Sequence, residues 1–326
     1  MREKQAEWFK AHIVPVAIAA VLIVAVLVAV VVTQNGDSEP ANGTTLAAQT
    51  AAAATEAPEP TEPATQASTT APTTQATRAT VSAQSSGSSQ AAPAAETAAT
   101  RTDSDKTVYY PQSLTSSNRK YPVIVWAANG TGCATSTYSG LLEIFAEAGY
   151  IVVADASMMT ADGTAQRDSI DYILGEATRS GSPFYNKVDT ANIGAAGHSQ
   201  GGRSAVNAAQ EDSRIRCVLS IAGASSADEA RGLNTPIFFM TGTADAIVLS
   251  SMWVEPSYDT ATGRAVYASL TGGVHTTCMT NPTQISGYAV EWFDAYLKND
   301  SAARNTFAAG GALANDSDWQ DFMCKN

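Results

Sequence analysis

The chain has 326 residues, with 31 acidic side chains against 19 basic ones and a net charge of −12. That length exceeds one small domain, and the acidic balance excludes nucleic acid or an anionic surface as the partner of the folded part. The four cysteines, Cys133, Cys217, Cys278 and Cys324, are an even count that suggests two disulfides in an oxidising location.

In chain order, the first feature is the uncharged run "IVPVAIAAVLIVAVLVAVVV", Ile13 to Val32, about the length a bilayer requires. Lys and Arg precede it and acidic residues follow. This predicts a cytoplasmic N-terminus over 1–12, a transmembrane signal anchor over 13–32 and the remainder outside the cell. The alternative is a cleaved signal peptide and a secreted product. Residues 33–104 are Ala, Thr, Pro, Ser and Gln with almost no large apolar side chains, so they cannot bury enough surface to offset their ordering entropy. They read as a disordered stalk, able to carry O-glycans and to touch the cell wall. At about 3.1 Å per residue it would extend on the order of 200 Å. Residues 105–326 then form a single large domain.

Within that domain "KTVYYP" alternates like an exposed strand, and "YPVIVWAA" reads as a buried one stopped by the turn-former "NGTG". "TYSGLLEIFAEAGY" has helical spacing, "IVVADA" is a buried strand and "AQRDSIDYILGEATRS" an amphipathic helix. "ANIGAAG" is a strand followed by the helix "QGGRSAVNAAQE". "CVLSIAG", "PIFFMTG" and "RAVYASL" are three more strands, and "QISGYAVEWFDAYLKND" is a final helix. Apolar strands alternating with helices predict an α/β fold, a mainly parallel sheet covered on both faces. Chemistry in such sheets gathers beyond the carboxyl ends of the strands.

The strand-to-helix junction Gly197-His198-Ser199-Gln200-Gly201 matches the G-x-S-x-G nucleophile elbow. Gly197 and Gly201 let strand and helix backbones approach while Ser199 sits on a strained turn. The alternative is a serine that merely caps the helix. A serine nucleophile needs a base. Of three histidines, His12 lies at the membrane boundary and His198 inside the elbow, its side chain expected to point away. His275 remains, in "LTGGVHTTC" directly after a strand. Asp245, in "TGTADAIV", follows an earlier strand and gives the order Ser, Asp, His. Asp155 and Asp259 are its rivals. Two oxyanion donors are expected, the N–H of Gln200 and one from "NGTG", either Thr131 or its neighbour Gly132.

These stretches resemble the α/β-hydrolase superfamily, and more closely cutinase-like polyester hydrolases and chlorophyllase/dienelactone-hydrolase-type esterases. "VIVWAANGTG" resembles the oxyanion segment, "GHSQGG" the elbow, "TADAIV" the acid loop, and "GGVHTTC" with "AVEWFDAYLKNDSAARNTF" the histidine loop and last helix. The resemblance implies Ser199, Asp245 and His275 as catalytic residues, with Thr131 and Gln200 as oxyanion donors. It also marks departures. Gln200 stands where the family has Met, and "ASSADEARG" lacks the family's Trp. Trp126 and Trp253 are the remaining aromatic candidates, each also readable as packing. The stalk occupies the place of the family's first strands, which predicts a sheet trimmed at that edge.

In those relatives the Cys after the histidine pairs with one just before the acid, where this chain has Thr243, and the C-terminal Cys pairs near the position of Ala308. Neither partner is present. Cys133–Cys278 and Cys217–Cys324 are the expected pairings, the second because the last helix should carry Cys324 towards the opposite rim. No metal and no cofactor are expected, since a structural zinc would need clustered Cys and His. The expected activity is hydrolysis of short to medium or polymeric carboxylic esters through an acyl-enzyme, without a large lid domain. The alternatives are a cell-envelope acyltransferase using the same triad and a non-catalytic binding module.

Overall fold

The computed structural model describes residues 96–128, 134–157 and 161–325. The expected anchor, all but the last part of the expected stalk, Thr131, Gly132 and Cys133 lie outside them. Among the described residues no helix is long and apolar enough to cross a membrane.

Among the described residues nine strands form one sheet in the order β1-β2-β4-β3-β5-β6-β7-β8-β9. They are β1 (Ala98–Asp103), β2 (Lys106–Pro111), β3 (Tyr121–Ala127), β4 (Ile151–Asp155), β5 (Val188–His198), β6 (Ile215–Ile221), β7 (Ile237–Gly242), β8 (Ala265–Leu270) and β9 (Trp319–Lys325). The six strands from β4 across to β8 run parallel, and β1, β2 and β9 are antiparallel additions at the edges. From β3 the chain steps to β4 on one side and then to β5 on the other. The crevice beyond the carboxyl ends of β3 and β5 is therefore a topological switch point, where such sheets bind ligands.

Strand alternation divides the core. Val123 and Val125 face one layer, Ile124 and Trp126 the other. The helices α1 (Ser139–Glu147) and α7 (Thr283–Leu297) cover one face with Leu142, Phe145, Trp292 and Phe293. The opposite face is covered by α2 (Thr164–Thr178), α3 (Gln200–Glu211) and α5 (Val254–Thr260). The described residues also form three short helices, α4 (Ala227–Ala230), α6 (Thr277–Thr280) and α8 (Ser301–Thr306). Only α4 occupies the connection between β6 and β7, so no lid domain stands there.

Several expectations need correction. The sheet begins at Ala98 rather than after the expected boundary at 105, because β1 pairs along all six of its residues with β2. The edge is thus extended, not trimmed. Its sequence, AATRTD, has the stalk's composition, and ladder hydrogen bonds rather than apolar burial hold it. For the same reason "KTVYYP" is an interior strand and largely buried. At the other edge Cys324 lies on β9, not on a helix, and pairs in register with Val266 of β8. Cys217 lies on β6. Three inter-strand steps of about 4.8 Å separate the two strands, beyond the roughly 7 Å Cα limit of a disulfide. The Cys217–Cys324 pairing is excluded, and both thiols are free.

Candidate active site

The elbow forms because three backbones meet. A Cβ on Gly197 would overlap the Gly201 carbonyl, and one on Gly201 would overlap the Ala127 carbonyl at the end of β3. Only glycine lets β5, α3 and β3 close to that distance. Ser199 takes φ 57° and ψ −118° at the N-terminus of α3, a left-handed conformation costing a non-glycine residue about 1–3 kcal/mol. Surrounding bonds impose it: Ser199 N donates to Ile221 O at 2.9 Å, and Ala224 N donates to Ser199 O at 3.2 Å. Ser199 does not cap α3 with its side chain, which removes the capping alternative. Beneath the turn, buried Gln166 donates to the carbonyls of Val125 (3.2 Å) and Ala196 (2.9 Å) and accepts from Ser204 Oγ (2.8 Å). This brace ties β3, β5 and α3 together and was not foreseen, since a glutamine in a helical pattern reads as a solvated side chain.

Asp245 and His275 occupy loops after β7 and β8 and meet directly. His275 Nδ1 lies 2.9 Å from Asp245 Oδ2, with both residues buried. Asp245 Oδ1 accepts from the N–H groups of Ile247 (2.8 Å) and Val248 (2.9 Å). Burial alone would push this carboxyl up, but hydrogen bonding and charge from His275 and the two N–H donors outweigh it, so the net displacement is downward. An ionised Asp245 fixes the Nδ1–H tautomer, leaving His275 Nε2 as a lone-pair base.

The rival carboxylates are occupied elsewhere. Asp155, at the end of β4, accepts from buried Lys106 Nζ at 2.7 Å and from Ser157 N at 2.6 Å. Asp259 is on α5. Trp126 is wholly buried, and Trp253 packs partly buried against the core.

The His198 side chain meets a specific set of partners. It is wholly buried, with Nδ1 2.9 Å from Tyr138 Oη and Nε2 2.7 Å from the carbonyl oxygen of His275. Its ring centroid lies 4.6 Å from that of His275. The loop of His275 therefore abuts the elbow, and His198 is the joint between them. Burial, and then the proximity of His275, push the His198 pKa down to about 3.

Among the described residues five large apolar side chains are exposed. Four of them, Ile247, Leu249, Met252 and Val274, sit in the loops that carry Asp245 and His275. These side chains leave apolar surface exposed on the two loops that carry Asp245 and His275.

A family profile described as PET hydrolase-like matches residues 48–324. The chain belongs to this family. It is similar to a bis(hydroxyethyl) terephthalate hydrolase of Streptomyces coelicolor, 25% identical over 203 residues, covering 60% of this chain and 63% of that protein. Cutinase 1 of Thermobifida cellulosilytica is 22% identical over 200 residues, covering 60% of this chain and 74% of the relative. The cutinase of Thermobifida fusca is 22% identical, with 60% and 64% covered. The PET hydrolase-like chain thus spans somewhat under two thirds of the first of these relatives. The family match agrees with the resemblance to cutinase-like polyester hydrolases of the α/β-hydrolase superfamily that the elbow and histidine segments carry.

Proposed function

We propose that the chain is a serine hydrolase of carboxylic esters, acting through an acyl-enzyme. Ser199 Oγ attacks the ester carbonyl while His275 Nε2 takes its proton. The tetrahedral oxyanion is held by the N–H of Gln200 and by a second donor, Thr131. Collapse breaks the bond to the alkoxy group, which leaves as an alcohol with the proton from His275. Water, deprotonated by the same nitrogen, then releases the acid and restores Ser199. Asp245 holds the imidazole in the required tautomer and stabilises its protonated form. The observation that carries this reading is the 2.9 Å hydrogen bond between His275 and Asp245, next to a serine strained into an elbow.

The substrate class follows from the rim. Ile247, Leu249, Met252 and Val274 offer apolar contact beside an acyl centre over which the described residues place no lid domain, which suits short to medium or polymeric apolar esters. The terephthalate and cutin specificities in the relatives' names support the same class. We further propose that Ile13–Val32 anchors the enzyme in the membrane, with a spacer ending near β1 that holds the catalytic domain outside the cell.

A fluorophosphonate probe should label the folded protein, and Ser199→Ala should abolish both labelling and turnover of p-nitrophenyl butyrate. Refusal of the probe by folded protein would overturn the reading, as would faster turnover on long-chain triglycerides than on butyrate for the substrate class. Product analysis with water and alcohol acceptors distinguishes hydrolysis from acyl transfer. Carbonate-resistant sedimentation of the full chain with membranes, lost on deleting 13–32, tests the anchor.

A further inference from the structure

The elbow residue before the nucleophile has a hydrogen-bonding assignment with no freedom in it. A backbone carbonyl can only accept, so the 2.7 Å contact to His275 O requires a proton on His198 Nε2. A neutral imidazole then has a lone pair on Nδ1, and the 2.9 Å contact there requires Tyr138 to donate its hydroxyl proton. Tyr138 is wholly buried and ends the 3-10 turn Thr135–Tyr138, a few residues after the segment holding Thr131. One imidazole thereby joins the turn following the oxyanion segment, the nucleophile elbow and the loop of the base.

We infer that His198 is a positioning residue for catalysis: with its tautomer set by Tyr138, it pins the backbone of His275 to the elbow and so holds the base in register with Ser199. The inference rests on the reading of Ser199 and His275 as nucleophile and base. His275 is then fastened at two points. Asp245 orients its ring through Nδ1, and His198 locates its main chain through the carbonyl. Neither bond substitutes for the other, because a ring held only through Nδ1 can still swing with its loop. A displacement of about 1 Å between reacting groups costs on the order of a hundredfold in rate. Burial keeps His198 neutral through the working range, so the donor and acceptor assignment holds wherever the enzyme is assayed.

The test compares two replacements in the full chain. His198→Phe keeps a ring and removes both nitrogens, whereas His198→Gln places an amide N–H₂ near the position of Nε2. With p-nitrophenyl butyrate, His198→Phe should lower kcat by about 10- to 100-fold with KM within about twofold, and His198→Gln should recover kcat to within about fivefold of the parent. Parental kcat in the Phe variant overturns the inference, and so does a folded Gln variant no better than the Phe variant. If His198→Phe fails to fold, Tyr138→Phe carries the test. It frees the tautomer and should lower kcat about three- to tenfold in the parent, and by a smaller factor in the His198→Gln background, where no imidazole tautomer remains to be set. Equal losses in both backgrounds overturn the inference. Ser199→Ala assayed in parallel separates the two levels. Retained turnover there defeats the triad itself, while a dead Ser199→Ala beside a fully active His198→Phe defeats only the positioning role.

Discussion

Lys106 Nζ lies 2.7 Å from Asp155 Oδ2 with both side chains buried, joining β2 to the end of β4. Asp155 is the last residue of β4 and Asp245 lies in the loop after β7, and their partners divide their tasks. A carboxylate neutralised by lysine holds two strands together, whereas one paired with a histidine can follow a proton.

Asp155→Asn should therefore cost stability and Asp245→Asn should cost rate. Breaking a buried ion pair from one side costs about 3–5 kcal/mol, visible as a lower denaturation midpoint with kcat retained in the remaining folded protein. Asp245→Asn should lower kcat by about 10³- to 10⁴-fold, since it loses the required tautomer. Denaturant titration and steady-state kinetics on both variants check this, and the same kcat loss in each would refute the division.

Acid stability should carry a contribution from His198. Its pKa is about 3 in the folded chain against an ordinary value of 6.5, so between those values the unfolded chain binds a proton that the folded chain refuses. Stability then falls as pH drops from about 6.5 towards 3, by about 1.4 kcal/mol for each pH unit from this group. Asp245, displaced downward, adds stability above the ordinary carboxylate range that disappears as pH falls through its folded value. Chemical denaturation of the parent and His198→Gln at pH 7 and pH 5 isolates the histidine. The difference between the two proteins should shrink on acidification.

Gly201→Ala should disable the elbow. The new Cβ would overlap the Ala127 carbonyl, and main chain cannot yield as a flexible side chain can, so strand and helix must separate. We expect kcat to fall by more than about 100-fold, with about 1–3 kcal/mol of stability lost. Thermal unfolding and burst kinetics report both, and a variant matching the parent in each would contradict the close approach.

Leu249→Ser combined with Met252→Ser should act on apolar substrates selectively. With partial burial of two apolar side chains by substrate, kcat/KM on p-nitrophenyl hexanoate should fall about 5- to 30-fold. Turnover of the acetate should stay unchanged. Equal losses on both esters would mean the loop was disturbed rather than its surface.

Alkylation should separate the two free thiols. Burial pushes the Cys217 thiol far up, so native protein should resist iodoacetamide at that position while half-buried Cys324 reacts. After unfolding without reductant, peptide mapping should find both modified. A disulfide-linked Cys217–Cys324 peptide would overturn the sheet order.

The legible parts of the molecule are those where one segment carries its own signal. Ser199, Asp245 and His275 could be singled out because each follows an apolar run at a strand end, and Ser199 also has its flanking glycines. Illegible parts depend on what a residue meets. β1 has the composition of the low-complexity segment before it and exists because β2 offers an unpaired edge. β9 is an edge strand whose outward side chains break the apolar pattern. The link from His198 to the carbonyl of His275 joins a side chain to main chain 77 positions away and leaves no trace in residue types. The expected Cys217–Cys324 pairing fails because β9, a strand three places along the sheet from β6, carries the second thiol.

β9 also bears on how the proposed activity would be lost on heating. It lies at the margin of the sheet, against the strand that leads into the loop of His275, and it is fastened by its ladder to β8 and by Lys325 reaching the carbonyl of Tyr258. Peeling of this outermost strip bares one flank of β8 and loosens the footing of the His275 loop while the parallel strands remain intact. Thermal inactivation should accordingly set in below the temperature at which the bulk of the sheet melts, and tighter seating of β9 would raise the ceiling on useful working temperature without touching a single residue that meets the ester.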